Sequence, residues 1–561
     1  MPRRHASLSV APADVEHQQP GPATPVLANR PLRPGTDPAG LSRFTDGRWW
    51  LTPAIFEDHA TGKSLNLAGV PEPFQQAAKH YVWQQLNHPT PPVLRGQVRS
   101  RLGVLTIAHN FQALAAFLHW LAACGIDRLC NVTARDLDAY LADLLVAPTT
   151  APVRAGRINE VRRLWSYREF LPPADRLPAA PPWQGDDCAA ILGRRRHGLE
   201  NRTPRIHPDT MDRLLCWALR FVEVFADDIL AAHHEHAMLA RRSDRARGRR
   251  ESPAPNRGRG DLQRDLRALL ERLRATGTLL PGKTLTDGRR VIDWGHLARL
   301  LNCWATSIMQ PPVRQIVEAS GLPIADAAYL QSPILARLDD APWRDRPIAY
   351  HEAAPLARHL ATACYVIIAY LSGMRPGEAL TLRRGCVRFD QATGLWLLGG
   401  RQWKGVVDQS GSKLAEGQPR TDPWVVVEPA ARAVAVLERL HDDPLLFPTT
   451  LLVGHRAGIT GERRGKARTT PLITDDIARF VTWVNDYCAR TSRAELIPPD
   501  NDGRALVPSR LRRTLAWFIV RRPRGLIAGA IQYGHVQVQI TLGYKNPREL
   551  QQTGESLQVA C

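Results

Sequence analysis

Four residues in the C-terminal part of the chain have side chains that could act together on a phosphate ester. A Gly534-His535 pair is followed nine residues later by Tyr544, and Arg375 and Arg512 lie upstream. A guanidinium stays charged and presents parallel donors that fit phosphate oxygens. A phenol, with a pKa near 10, is a nucleophile that needs nearby positive charge, and an imidazole can donate or carry a proton near neutral pH. Such a set could cut a phosphodiester without a metal ion.

Short motifs surround the two arginines. Residues 371–378 read LSGMRPGE and contain a G-x-R-x-x-E pattern, and residues 509–514 read SRLRRT around the second arginine. In the order Arg, Arg, His, Tyr, these motifs resemble the tyrosine recombinases, the phage integrase family. The resemblance implies that Tyr544 is the nucleophile, forms a 3′-phosphotyrosyl bond and releases a 5′-hydroxyl. It also implies that Arg375 and Arg512 clamp the two non-bridging oxygens of the phosphate.

Supporting residues accompany the motifs. Glu378 follows Arg375 by about one helical turn, so its carboxylate could orient the guanidinium, and Pro376 favours a helix start directly after the arginine. His535 would donate a hydrogen bond to the phosphate or shuttle a proton. The family usually has histidine three positions before the second arginine, where this chain has Ser509. A serine hydroxyl can bind a phosphate oxygen but cannot act as a base near neutral pH.

The resemblance also implies a lysine that protonates the departing 5′-oxygen from a strand hairpin. Lys404 follows a predicted strand over residues 395–398 and is our first choice. Lys413, further along the hairpin loop, is the alternative. Lysine suits this role because its ammonium group can give up a proton, which an arginine cannot easily do.

Each of these residues also has a purely structural interpretation. Tyr544 could pack against a sheet, Arg375 could be the cation at a helix C-terminus, and Arg512 could be one of several surface arginines. A lone histidine is more often structural than catalytic. The ordered set, with its motifs, favours the chemical interpretation.

Composition limits the classes of partner. The chain has 561 residues, enough for several domains, and 74 Lys and Arg against 54 Asp and Glu give a net charge of +20 and a pI of about 10.1. A polyanion is therefore the expected partner, although charge alone does not separate DNA from RNA or an anionic membrane. Nine cysteines without C-x-x-C spacing favour a reducing cytoplasm over a disulfide framework or a metal site. No signal peptide follows the basic N-terminus, and the apolar run at 360–371 is predicted to be a core helix rather than a membrane span.

Helical apolar spacing over most of the chain, with a few short strand-like runs, predicts a mainly α chain with a small antiparallel sheet, the α+β class. Its predicted parts are a flexible basic N-terminal arm (1–75), a helical core-binding domain that binds DNA (76–190), a helical insertion or linker with an Arg-rich loop (191–345) and a catalytic domain (346–561). The arm is predicted from its Pro, Gly and Arg content. The core-binding and catalytic domains are identified by resemblance.

Apolar residues recur at helical spacing in residues 111–118 and 137–144, and a third helix is predicted over 154–170. This third helix carries several arginines, which would give it a basic face. A helical domain with a basic face is common, so this region matches the family only in outline.

The leading hypothesis is site-specific DNA recombination or integration for a mobile genetic element. The expected partner is double-stranded DNA, bound by a homotetramer on two paired sites in the cytoplasm, without a membrane, cofactor or metal. One alternative is a DNA-binding relative that lost strand exchange, for which Tyr544→Phe would change no activity. Another is a relaxing enzyme like the type IB topoisomerases, which would act as a monomer without a preferred sequence.

Overall fold

The structure, a computed structural model, describes residues 19–91, 101–193, 203–246, 259–407, 414–452, 465–501, 503–522, 528 and 532–533. The chain divides into two compact units. Unit 1 is Met1–Gly198 with Arg401–Pro419, and unit 2 is Leu199–Gly400 with Arg420–Cys561. Helices joined by short antiparallel sheets make up both units, which confirms the predicted α+β class.

Unit 1 begins with ordered structure inside the predicted flexible arm. Strands β1 (Arg48–Trp50) and β2 (Ser64–Asn66) pair antiparallel, and Trp49 and Phe74 are fully buried. The prediction of a flexible arm is therefore wrong for residues 19–75, while residues 1–18 lie outside the described residues. Pro and Gly form tight turns here, and the apolar residues between them reach one core without helical or strand periodicity.

Unit 1 contains five α-helices in its described residues. They are α1 (Gln75–Asn87), α2 (Val104–Ala123), α3 (Ala134–Val146), α4 (Ala151–Ser166) and α5 (Cys188–Ile191). Of these, α2 and α3 follow the predicted apolar spacing and α4 overlaps the third predicted helix. Thr133 starts α3: its backbone N–H donates to the Asp136 carboxylate at 2.8 Å, and its hydroxyl accepts from the Asp136 N–H at 3.3 Å. This capping box satisfies donors that the first helical turn would otherwise leave unpaired.

Several arginines of α4 are buried or paired, although the sequence predicted that they form a basic face. Arg162 is only 4% exposed, Arg163 pairs with buried Glu160, and Arg154 donates to the Ala147 carbonyl at 3.0 Å. Arg162 is thus buried, Arg163 is paired within its own helix and Arg154 ties α4 to the residue after α3, so these three guanidiniums do not form the basic face that was predicted for the helix.

Unit 2 is built around one long buried helix. Its elements up to that helix are α6 (Pro208–Arg220), a π-helical turn (Phe221–Phe225), α7 (Ala226–Ala246), α8 (Arg259–Ala275), β3 (Gly282–Thr284), β4 (Arg290–Ile292), α9 (Trp294–Leu300), α10 (Ala305–Ile308), α11 (Pro311–Glu318), β5 (Arg337–Leu338), β6 (Ala341–Pro342) and α12 (Tyr350–Ser372). The following elements are α13 (Pro376–Leu380), β7 (Val387–Asp390), β8 (Leu395–Leu398), β9 (Arg401–Gln402), β10 (Gln418–Pro419), β11 (Trp424–Val426), α14 (Glu428–Leu440), α15 (Thr470–Arg490) and α16 (Pro508–Val520), of which β9 and β10 belong to unit 1. Helix α12 packs against α6, α7, α14, α15 and α16.

Part of the predicted insertion is built into the core of unit 2. Phe221, in the π-helical turn, packs edge-on against Phe480 with ring centres 5.0 Å apart, and Phe225 stacks on Trp343 at 4.5 Å. Asp228 is buried and accepts from the indole N–H of Trp343 at 2.8 Å. Side chains from Met211 to Leu239 therefore share one core with the helix that leads to Arg375.

A three-stranded antiparallel sheet in the order β11-β8-β7 lies beside α14. Leu398 of β8 faces Trp424 of β11, and beyond this pair the same hairpin continues as β9 and β10, with Arg401 opposite Pro419. The base of the hairpin thus belongs to unit 2 and its outer part to unit 1.

By length and composition, two described helices, α2 and α12, are long and apolar enough to cross a membrane. Helix α12 is 78% buried over its most apolar window, against 33% for α2. The prediction from the sequence considered only the apolar run at 360–371, which is shorter than α12. Its placement of that run in a core helix agrees with the structure.

Candidate active site

The turn that ends α12 positions Arg375. Gly373 takes a left-handed conformation with φ of 64° and ends the helix, and the hydroxyl of Ser372 accepts the Met374 N–H at 3.2 Å. Pro376 then occupies the first position of α13, as predicted, because its fixed φ suits a helix start. Arg375 therefore lies at the junction between two helices.

Glu378 contacts Arg375 at two points. One carboxylate oxygen accepts from the Arg375 guanidinium at 2.8 Å, and the other accepts from the Arg375 backbone N–H, also at 2.8 Å. The Glu378 side chain is 3% exposed and the Arg375 side chain 28%. A carboxylate so deeply buried needs a charged partner, and here that partner is held in one orientation with part of it open to solvent.

Arg512 reaches the same turn from α16. Its guanidinium donates to the Gly373 carbonyl and, at 3.5 Å, to the Tyr533 carbonyl, and Arg512 is 7% exposed. The two arginines of the motifs are thus brought to one turn, although Gly373 and Arg512 are 139 residues apart in the sequence.

Tyr533, from the C-terminal part of the chain, packs against both Arg512 and the Gly373 turn. Its ring lies under Arg512, with the guanidinium carbon 4.2 Å from the ring centre, and Tyr533 is 1% exposed. A β-carbon on Gly373 would lie 2.3 Å from the Tyr533 ring, so the turn needs glycine for space as well as for its positive φ.

A third arginine, which sequence reasoning missed, lies in this neighbourhood. Arg420 is half-buried, its guanidinium donates to the Gln532 carbonyl at 2.9 Å, and it lies 4.3 Å from the centre of the Trp424 ring. Burial lowers its pKa, and the positive charges of Arg512 and Arg375 act in the same direction, against the opposite effect of Glu378 and Asp422. No motif contains Arg420; its only sequence signal is its place just before a strand.

Lys404 lies in the outer part of the hairpin, which belongs to unit 1. It is exposed in the turn after β9, next to Trp403, whose ring meets the His59 ring edge-on with centres 6.0 Å apart. Lys413, the alternative, lies outside the described residues.

Ser509 lies in the first turn of α16 and is exposed. Its neighbour Arg510 is buried and pairs with buried Asp500 at 2.6 Å, which ties the start of α16 to the residues before it. The motif thus supplies one structural arginine, Arg510, and one arginine at the candidate site, Arg512.

His535 and Tyr544 lie outside the described residues. Of the predicted site residues, Arg375, Glu378 and Arg512 are brought together in unit 2. Throughout the described part of the chain, no group of three or more His, Cys, Asp or Glu side chains is arranged to hold a metal ion.

No family model matches the sequence, and no curated protein matches it either. The chain is similar to the XerH site-specific recombinase in complexes with difH substrates before and after cleavage, at 10% and 11% identity, covering 85% of this chain and 93% of that one, with TM-scores of 0.38 and 0.40. It is also similar to the Tn1549 transposon integrase bound to circular intermediate DNA, at 13% identity, covering 54% of this chain and 87% of the other, with a TM-score of 0.23. These are proteins of the class that the motifs resemble. Function is therefore inferred from the geometry of Arg375, Glu378 and Arg512 and not from these similarities.

Proposed function

We propose that this chain is a tyrosine-type site-specific recombinase that cleaves and rejoins DNA without a metal ion. The observation that supports this most directly is the meeting of Arg375 and Arg512 at the Gly373 turn. A pair of fixed guanidiniums is what a phosphate needs when negative charge builds up on its non-bridging oxygens in the transition state.

The surroundings of the two arginines suit this role. Arg512 is almost fully buried and Arg375 is held by Glu378, so neither guanidinium needs to reorganise when the charge develops. Electrostatic interactions are stronger where water is excluded, which increases the effect of each donor.

In the proposed reaction the phenol of Tyr544 loses its proton to water as its oxygen attacks the phosphorus atom, and a bond to the 3′-phosphate forms as the bond to the 5′-oxygen breaks. Lys404 donates the proton that the departing 5′-oxygen takes up, and His535 donates a hydrogen bond to the phosphate. The phosphotyrosyl bond conserves the energy of the broken bond, so a 5′-hydroxyl from another strand can reverse the step and join two strands.

The expected substrate is double-stranded DNA. The net charge of +20 favours a polyanion, and contacts to phosphates would make binding steeply dependent on salt. Exchange between two sites requires cleavage of four strands, which is why we propose a homotetramer on two paired sites. The proposal includes a location in the cytoplasm and a role in moving a mobile genetic element.

Ser509 is the observation that favours a second candidate, a DNA-binding relative without strand exchange. It is exposed where the family usually has a histidine, and a hydroxyl cannot replace an imidazole as a base. In that case the Tyr544→Phe variant would behave like the wild type in every assay.

A nicked duplex tests the proposal. DNA flanking the gene is first selected for binding, and a nick is placed so that the short 5′-hydroxyl fragment diffuses away after cleavage. The proposal predicts a protein–DNA complex that survives denaturation, with metal chelated. Binding without any such complex would refute it, and relaxation of supercoiled DNA by a monomer without sequence preference would favour the topoisomerase-like alternative.

A further inference from the structure

Gln532 joins three parts of unit 2. Its side-chain amide donates to the Ser372 carbonyl at 2.8 Å and to the Val425 carbonyl at 3.0 Å. Its own backbone carbonyl accepts from the Arg420 guanidinium at 2.9 Å. One residue therefore connects the end of α12, the strand β11 and Arg420, which directly follows β10.

These bonds act on the same turn that positions Arg375. Ser372 is the last residue of α12, directly before Gly373, and Tyr533, directly after Gln532, packs on Gly373 and under Arg512. Residues 532 and 533 are thus fixed against the turn by hydrogen bonds on one side and by ring packing on the other.

We propose that Gln532 and Arg420 form a latch that sets the starting point of the segment carrying His535 and Tyr544 relative to Arg375 and Arg512. They would be positioning residues for strand cleavage, and this inference rests on the proposed function. His535 follows Gln532 by three residues in the sequence. Fixing Gln532 therefore limits where the His535 side chain can reach, since each residue extends the chain by at most about 3.6 Å.

An arginine is well suited to position 420. Its planar guanidinium can stack on the Trp424 ring while its edge donates to the Gln532 carbonyl, and a lysine ammonium has no flat face with which to do both at once. Arg512 and Arg375 also lie close enough for their charges to lower the pKa of Arg420. The charge of Arg420 therefore adds to the positive potential at the site.

Four variants test the latch. Gln532→Met keeps the length of the side chain but removes both donors, Arg420→Met removes the guanidinium, and Arg420→Lys keeps a cation that can still donate one bond. The exposed Arg264→Met, which loses only a surface pair with Asp261, is the matched control. Single-turnover cleavage of the nicked duplex, the Kd for the intact duplex and the Tm are measured for each full-length variant.

We expect Gln532→Met and Arg420→Met to slow cleavage by about 10- to 100-fold, since about 1.4 kcal/mol in the barrier is a factor of ten. The Kd should stay within about threefold of the wild type, and Arg420→Lys should recover part of the rate. A fifth variant, which combines Gln532→Met with Arg420→Met, should slow cleavage by less than the product of the two single effects, because the bonds that each substitution removes hold the same residue, 532.

The outcomes separate the latch from the proposed function. A wild type that forms no covalent complex refutes the proposed function itself. A wild type that cleaves, with latch variants that cleave equally fast, overturns the latch. Variants whose slower cleavage is matched by an equal loss of DNA binding, or by a large fall in Tm, also overturn it, because the residues would then only stabilise the fold.

Discussion

The pairing of Arg375 with Glu378 gives one guanidinium two tasks. It neutralises a carboxylate that is 3% exposed, and because the Arg375 side chain stays 28% exposed it is accessible for the proposed contact with a phosphate. A lysine at this position would keep the charge but not the parallel donors that bind two phosphate oxygens.

We therefore expect Arg375→Lys to reduce the single-turnover rate of DNA cleavage by about 100-fold or more, as for loss of one transition-state donor, with a much smaller change in Kd. The measurement is the rate of covalent complex formation on the nicked duplex. The control is Arg439→Lys, whose exposed side chain pairs with Asp227. Equal rates for Arg375→Lys and this control would contradict the proposed role.

The choice between Lys404 and Lys413 has a chemical test. A substrate with sulfur in place of the bridging 5′-oxygen has a leaving group that needs no acid, because a thiol is far more acidic than an alcohol. We expect Lys404→Ala to cleave the ordinary duplex slowly and the sulfur-containing duplex at nearly the wild-type rate, while Lys413→Ala behaves like the wild type on both. The reverse pattern would assign the acid to Lys413.

At this scale the motifs that resemble a known family named Arg375, Glu378 and Arg512, which the structure brings to one turn, and their catalytic roles stay predictions. The sequence did not predict Arg420, Gln532 or Tyr533. Their contacts are hydrogen bonds to backbone carbonyls and ring packing between segments far apart in the chain, and neither leaves a spacing pattern.

Among the elements, the turn after α12 matters most for the candidate site, because it positions Arg375 and packs against Tyr533. Gly373 and Gly385 both have positive φ, of 64° and 73°, but a β-carbon on Gly385 would meet nothing within 4 Å, whereas one on Gly373 would clash with the Tyr533 ring. The two glycines thus separate the cost of backbone strain from the cost of steric overlap.

We expect Gly385→Ala to lower the free energy of unfolding by about 1 kcal/mol, the strain of a left-handed alanine. Gly373→Ala should lower it by about 1–3 kcal/mol more, because Tyr533 must move, and should slow cleavage as well. Urea denaturation of both variants measures the difference. Equal losses would mean that the packing of Tyr533 on this turn is unimportant.

The helices were predicted better than the rest of the chain. Periodic apolar spacing located α2 and α3, and a third predicted helix at 154–170 overlaps α4. The ordered residues from 19 to 75 were missed because short strands and tight turns produce no period. The role of residues 208–246 was missed because an amphipathic helix does not show which core it joins.

For the whole molecule, burial of histidines makes stability depend on pH. Burial is the main cause that lowers the pKa of both His296 and His359 to about 4 in the folded chain. An unfolded histidine titrates near pH 6.5, so the unfolded state takes up protons first as the pH falls. The stabilisation from neutral, buried imidazoles is complete above pH 6.5 and is lost as the pH falls towards 4.

We expect His359→Phe to reduce the slope of the free energy of unfolding between pH 6 and 4.5 by up to about 1.4 kcal/mol per pH unit, the effect of one proton. His351→Phe, on the exposed side of the same helix, is the control for the substitution itself. Denaturation curves at several pH values measure both slopes. An unchanged slope for His359→Phe would show that this imidazole is not held neutral by burial.

The excess of positive charge is a property of the whole chain, whereas the proposed chemistry depends on Tyr544. The most direct test is to digest the trapped complex with nuclease and protease and to locate the remaining nucleotide by mass spectrometry. The account predicts a nucleotide 3′-phosphate on the phenol oxygen of Tyr544, and no trapped complex with Tyr544→Phe. An adduct on another residue such as Tyr533, or undiminished trapping by Tyr544→Phe, would contradict it.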